Sequence, residues 1–265
     1  MAIELFSIGT ELVLGQIQDT NAHWIAQQLL QFGGELRRVT MLRDNFDEMT
    51  EALDTAIQRD SALILTTGGL GPTPDDMTVE VIASLIGTKI VVSDETIAEY
   101  RKRREMSDDD PLNEALIKMA TIPETAQVLQ NPAGWAPCIS VEHQNSTIMM
   151  MPGPPREMKA IFETHIQPLI VERYRSEIST ARVQVNMFEA EVSPLMQKVM
   201  ERHPEVYLKA YVSLREEGGN IMPVDFVSTS DDREESEKQL KLAINFFKEL
   251  VLEKGKTFSY DEPSE

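Results

Sequence analysis

The residues of this chain best suited to chemistry are Gly68-Gly69-Leu70-Gly71-Pro72-Thr73-Pro74-Asp75-Asp76. An apolar run, Ala62-Leu63-Ile64-Leu65-Thr66-Thr67, breaks into three glycines and two prolines; paired aspartates then precede Val79, Val81, Ile82, Leu85 and Ile86 at helical spacing. That pattern is strand, loop, helix. Backbone amides bared by Gly68, Gly69 and Gly71 beside the positive end of a helix form a site for phosphate oxygens, and the carboxylates of Asp75 and Asp76 can hold the divalent cation a polyphosphate carries. The competing reading is a tight turn whose glycines supply positive φ and whose Asp75 or Asp76 only caps a helix. Position after a buried-type strand favours a site, because open parallel sheets bind ligands beyond their strands' carboxyl ends.

Other reactive side chains offer less. The one cysteine, Cys138, excludes an internal disulfide, fits a reducing compartment and reads as a small apolar packing residue. His23, His143, His165 and His203 belong to no Cys/His signature and show no zinc spacing. Trp135 either stacks on a base or plugs a loop. Arg156, near an expected helix start, can contact a phosphate or pair with Glu157 or Glu163.

At 265 residues the chain can bury a sizeable core. Asp+Glu 44 against Lys+Arg 25 leaves a formal charge of -19, which repels nucleic acid and anionic membranes. The first residues enter a strand-like stretch without a leader pattern, and no segment is apolar enough to span a bilayer; the expected location is cytoplasmic.

Elements must bring these groups together. Residues 3–8 read as a first strand, and a helix from Asn21 turns Trp24, Ile25, Ala26, Leu29 and Leu30 inward before stopping at Gly33-Gly34. Residues 36–42 form a second strand, 47–59 a helix, and the central strand comes third. This alternation predicts a three-layer, doubly wound, mostly parallel α/β sheet. Ser93 or Asp94 caps a helix to about Met106, whose run Arg101-Lys102-Arg103-Arg104 reads as a solvated face balanced by Asp108-Asp109-Asp110. Pro111 opens a helix through Lys118 and Met119. Residues 131–137 are a turn-rich loop, 138–142 and 146–151 are strands, and a helix follows Pro152-Gly153-Pro154-Pro155 to about Tyr174.

The pattern resets at residues 175–180. Strands are expected at 181–189, 206–214 and 221–228, the last two around Glu216-Glu217-Gly218-Gly219-Asn220. A helix opens at Pro194 and an amphipathic one covers 233–253. The expected domains are 1–175, 178–256 as a smaller α+β unit, and 257–265 as a frayed acidic tail.

Four stretches in this order resemble the competence/damage-inducible family CinA: residues 9–17 with Asp19-Thr20-Asn21; residues 68–78; Asn131-Pro132-Ala133-Gly134 with Ala136-Pro137; and Pro152-Gly153-Pro154-Pro155-Arg156-Glu157-Met158. The likeness covers roughly the first 175 residues and implies a molybdopterin-binding fold there; the second unit is more weakly similar to a KH-like domain. It implies metal-dependent hydrolysis of a nucleotide pyrophosphate, ADP-ribose first and dinucleotides such as FAD next. It gives Asp76, Asp44, Glu11 and Lys118 catalytic roles. Thr10, Asn21, Gly68, Gly69, Gly71, Thr73, Asn131, Gly134, Pro152, Gly153 and Arg156 become binding residues, and Glu11, Asp75 and Asp76 hold magnesium, manganese or cobalt, with potassium a further candidate. It also implies a homodimer. The family's C-terminal nicotinamide-nucleotide amidase domain does not fit in this chain, so amidase activity is not transferred, and Trp135 stands where a small residue is usual.

Two rival functions are weighed against hydrolysis. In one, the same pocket holds a pterin or nucleotide without turnover, serving a separately encoded amidase. In the other, the second unit reads RNA; no Gly-x-x-Gly clamp lies between its helices and Asp231-Asp232-Arg233-Glu234-Glu235 opposes it.

Overall fold

The computed structural model describes residues 2–107, 110–174, 176–212 and 221–261. The predicted turn Glu216-Glu217-Gly218-Gly219-Asn220, the acidic pair Asp108 and Asp109, and the last four tail residues lie outside them. The chain divides into two compact units, Met1–Arg175 and Ser176–Glu265.

The first unit runs β1 (Ala2–Ile8), α1 (Thr10–Val13), α2 (Thr20–Phe32), β2 (Glu35–Leu42), α3 (Phe46–Gln58), β3 (Leu63–Thr67), α4 (Thr78–Ile86), β4 (Ile90–Val92), α5 (Asp94–Arg103), α6 (Glu114–Met119), β5 (Thr121–Pro123), β6 (Gln127–Leu129), β7 (Cys138–His143), β8 (Ser146–Met151) and α7 (Pro155–Ile161). The last helix continues through wide turns at Phe162–Ile166 and Ile170–Tyr174, on either side of α8 (Gln167–Leu169), where Pro168 lacks an amide for the ladder. The main sheet has the order β2-β1-β3-β8-β7-β6. Its first four strands are parallel, and β7 and β6 are antiparallel additions. Successive residues along each strand point to opposite faces, so residues two apart share a core, which gives three layers. Phe6, Ile8, Ile64, Ile148 and Met150 join Met49, Leu53, Val81 and Ile82 in one core. Ile3, Leu5, Leu63, Leu65, Met149 and Met151 join Ile25, Leu29, Met158 and Phe162 in the other.

Local expectations needed three corrections here. Leu30 is exposed, because helix α2 buries only the stripe through Asn21, Ile25 and Leu29. Helix α6 starts after Asn113, whose side chain accepts from Leu116 N, not at Pro111. The aspartates before α4 do not cap it: the cap residue is Met77, with no side-chain bond. Cys138 is buried in apolar surroundings that push its thiol up to about 12, so it packs as expected.

At the amino end of β1, Glu4 is 1% exposed and accepts from Arg59 Nε at 2.9 Å and Ser61 Oγ at 2.7 Å. Burial pushes its carboxyl up, but these hydrogen bonds and the charges of Arg59 and Arg38 outweigh burial and hold it below its ordinary 4.5. A depressed carboxyl stabilises the fold above its unfolded value and loses that contribution as pH falls through the folded one. Glu4→Gln is therefore expected to lower stability by about 2 kcal/mol at neutral pH. The gap to the parent should close below pH 4.5. Urea unfolding across that range checks it; a gap that does not change with pH refutes it.

The second unit contains β9 (Glu177–Asn186), α9 (Glu189–Arg202), β10 (Val206–Ala210), β11 (Ile221–Ser230), α10 (Arg233–Glu253) and β12 (Phe258–Tyr260). They form an antiparallel sheet of order β10-β11-β9-β12, with Val183, Val224 and Phe226 packed on Val199, Ile244 and Phe247. Two expectations change. Helix α9 begins before Pro194, where the Glu191 carboxylate accepts from Phe188 N at 2.9 Å. Part of the supposed tail is β12, paired with β9. Among the described residues no helix is long and apolar enough to cross a membrane.

Candidate functional site

Strands β1, β2, β3 and β8 end side by side, since Ile8 pairs with Leu42, Ser7 with Thr67, and Thr67 with Met151. The loops that leave them line a cavity of about 340 Å³. Its walls include Glu11, Asp44, Gly68, Gly69, Gly71, Asp75, Asp76, Pro152 and Gly153, all predicted, and Met119, Trp135, Ala136 and Glu157.

The glycine loop is held by its surroundings. Gly68 has φ +100°, and a Cβ there would lie 2.1 Å from Ile8 O. Its amide donates to Met151 O at 2.9 Å, so it is taken and the predicted phosphate contact from Gly68 N is not available. The amides of Gly69 and Gly71 donate to no acceptor among the described residues. Thr78, fully buried, fastens the loop to α4: its Oγ1 donates to Gly68 O at 3.0 Å and its amide to Gly69 O at 3.1 Å. A threonine directly after Asp75-Asp76-Met77 is the only hint the sequence gives of this clamp.

Several predicted binding residues stand behind the wall and shape it. Thr10 donates from its amide and hydroxyl to Asp44 Oδ2, at 2.8 and 2.9 Å, tying the β1 loop to the β2 loop. Asn21 Nδ2 donates to Gly153 O at 2.8 Å, while its buried Oδ1 has no partner among the described residues. Asp76 Oδ2 accepts from Thr73 N at 2.8 Å and Thr73 Oγ1 at 2.6 Å, and Lys118 Nζ donates to Thr73 O. Lys118 thus braces the loop and is not part of the cavity wall. The Thr73 hydroxyl, the Asp75 amide and the Lys118 charge hold the Asp75 carboxyl below its usual range. Arg156 is the outlier: it is exposed on α7, does not line the cavity, and its side chain forms no hydrogen bond or ion pair among the described residues, with Glu157 or Glu163 or otherwise.

A second group centres on Asn131, one of the predicted binding residues. Only 2% exposed, it donates from Nδ2 to Ala136 O at 2.7 Å and to Glu157 Oε2 at 2.6 Å, and accepts from Ala133 N. Gly134 leaves room for the Glu157 carboxylate: a Cβ there would sit 1.8 Å from Glu157 Oε2, and the carboxylate would have to move. Arg103, expected on a solvated face, instead donates to the carbonyls of Gly134 and Asn131 and to Glu99. Trp135 packs edge-on against Tyr100, with ring centroids 5.4 Å apart, and carries the guanidinium of Arg104 at 5.1 Å. It is a plug that also forms part of the wall.

Among the described residues no three His, Cys, Asp or Glu side chains are grouped to hold a metal ion by themselves. Five carboxylates, those of Glu11, Asp44, Asp75, Asp76 and Glu157, face one cavity. A bare diphosphate is repelled there. The donor set fits a hard cation that arrives with its phosphates, since magnesium commonly takes one or two carboxylates and completes its shell with substrate oxygens and water.

Residues 4–172 match the family described as "Probable molybdopterin binding domain". A protein of Pyrobaculum calidifontis is 32% identical over 94% of this chain and 95% of its own length. A putative competence-damage inducible protein of Alkaliphilus oremlandii is 42% identical over 64% of this chain but only 41% of its own length. Among solved structures, CinA from Thermoplasma acidophilum superposes with a TM-score of 0.57 at 30% identity, over 64% of this chain and 99% of that one.

Proposed function

Since the chain belongs to the molybdopterin-binding-domain family, with CinA-like relatives, we propose that its first unit hydrolyses the pyrophosphate of a nucleotide, ADP-ribose to AMP and ribose 5-phosphate or a related dinucleotide. The observation that carries this reading is one cavity holding both the free amides of Gly69 and Gly71 and the carboxylates of Glu11, Asp75 and Asp76.

In this reading the two amides bind phosphate oxygens, and Asp76 with Asp75 or Glu11 holds the divalent ion that accompanies them. When bound, that ion polarises the phosphoryl group and lowers the pKa of water. Asp44, with Oδ2 held by Thr10 and Oδ1 unbonded among the described residues, accepts a proton from the attacking water. Water adds to phosphorus as the bridging P–O bond breaks. Lys118 contributes by fixing residues 73–76 through Thr73 O, not by touching the leaving phosphate.

That no three metal-ligating side chains are grouped among the described residues favours a second reading, a module that binds a nucleotide or pterin without turnover. Incubation with ADP-ribose, FAD and NADH, with magnesium, manganese or cobalt, separates the two. Metal-dependent AMP release is expected; tight binding without AMP under every metal selects the module.

A further inference from the structure

One carboxylate on the cavity wall has no part in the phosphate chemistry. Glu157 leaves the first turn of α7 and lines the cavity together with Ala136, and Asn131, which is not part of the wall, ties the two by donating to both. Its orientation is fixed. Oε2 accepts from Asn131 Nδ2 at 2.6 Å, and Gly134 leaves the carboxylate the space any side chain there would occupy. Oε1 accepts from no donor among the described residues.

We propose that Glu157 reads the ribose hydroxyls of the bound nucleotide and thereby sets the specificity of the site for a ribosyl diphosphate. An ionised carboxylate only accepts hydrogen bonds, so its complement on a ligand must be a donor. Phosphate oxygens supply none and are repelled. The hydroxyls of a ribose do supply them, and a carboxylate on a ribose diol is how dinucleotide-binding folds hold the sugar. Which part of the ligand reaches Glu157 follows from the chain. Pro152, Gly153 and Pro154, just before α7, line the same cavity, and a Cβ on Gly153 would be 3.6 Å from the Gly68 Cα. Glu157 therefore stands close to the loop that carries the Gly69 and Gly71 amides. The group bonded directly to a phosphate held there is the sugar, with the base beyond it.

This inference rests on the proposed nucleotide site, and its test separates the two. Calorimetric titration of the full chain with ADP, 2′,3′-dideoxy-ADP and inorganic pyrophosphate, each with magnesium, is done on the parent and on Glu157→Gln. The parent is expected to bind ADP roughly ten to a hundred times more tightly than the dideoxy analogue, the range for a hydrogen bond to a charged group. In Glu157→Gln that ratio should fall to within about threefold of unity, with pyrophosphate bound at least as tightly as by the parent because one repelling charge is gone, which also certifies a folded site. Equal affinities of the parent for ADP and its dideoxy analogue overturn the assignment while leaving the phosphate site intact. So does a ratio that survives in Glu157→Gln. Failure of the parent to bind any of the three overturns the nucleotide site itself.

Discussion

Gly68→Ala is expected to destabilise the first unit by about 3 kcal/mol, the sum of left-handed backbone strain and a collision that no rotamer can relieve. The reason is geometric. Gly68 has φ +100°, and the added Cβ would meet Ile8 O at 2.1 Å, a backbone atom of a central strand. Relief requires moving β1 or β3, both buried throughout. For a unit of this size the loss corresponds to a fall in melting temperature of about 10 °C. Gly15→Ala is the control. Its φ is +68°, yet nothing lies within 4 Å of a Cβ there, so only the strain of about 1 kcal/mol remains. Calorimetric melting of the two variants measures the difference; equal losses would show that the approach of the glycine loop to β1 is not what demands glycine. Because the loop also carries the Gly69 and Gly71 amides, Gly68→Ala should weaken pyrophosphate binding even where it remains folded.

On the proposed hydrolysis, Asp76→Asn is expected to lower turnover by about a hundredfold to a thousandfold, the usual effect of removing a placed electrostatic group from a phosphoryl-transfer site. The substitution is nearly isosteric and keeps an oxygen for Thr73 N, now 2.8 Å from Oδ2. What it removes is charge. Thr73→Val does the converse: it deletes the hydroxyl whose single proton is shared between the carboxylates of Asp75 and Asp76 but leaves their charges in place. That variant is expected to lose about tenfold or less, about the worth of one hydrogen bond. Steady-state rates at saturating metal, with the metal concentration varied for each protein, distinguish the two. Parental turnover by Asp76→Asn would remove Asp76 from the chemistry. Equal losses in both variants would mean that Asp76 acts only by holding its loop.

Much of this was legible in the residue order. Alternating apolar strands and amphipathic stripes specify the parallel α/β sheet, because burial on both faces requires that periodicity whatever lies elsewhere. The glycine loop was legible for the same local reason, since positive φ and a helix restart leave their mark within a dozen residues. The four-motif likeness to CinA marked the loops that gather at one sheet edge. Only the tertiary structure decided which of the marked side chains face the cavity. Thr10, Asn21, Thr73, Lys118 and Asn131 spend their polar atoms on neighbouring loops, Arg156 does not line the cavity, and Glu157 and Thr78 take places that no motif assigned. Those outcomes depend on contacts between residues up to 132 positions apart, and a hydrogen bond of that reach has no periodicity along the chain. Strand pattern sets where the loops end; the packing of one loop against another sets what each of them can hold.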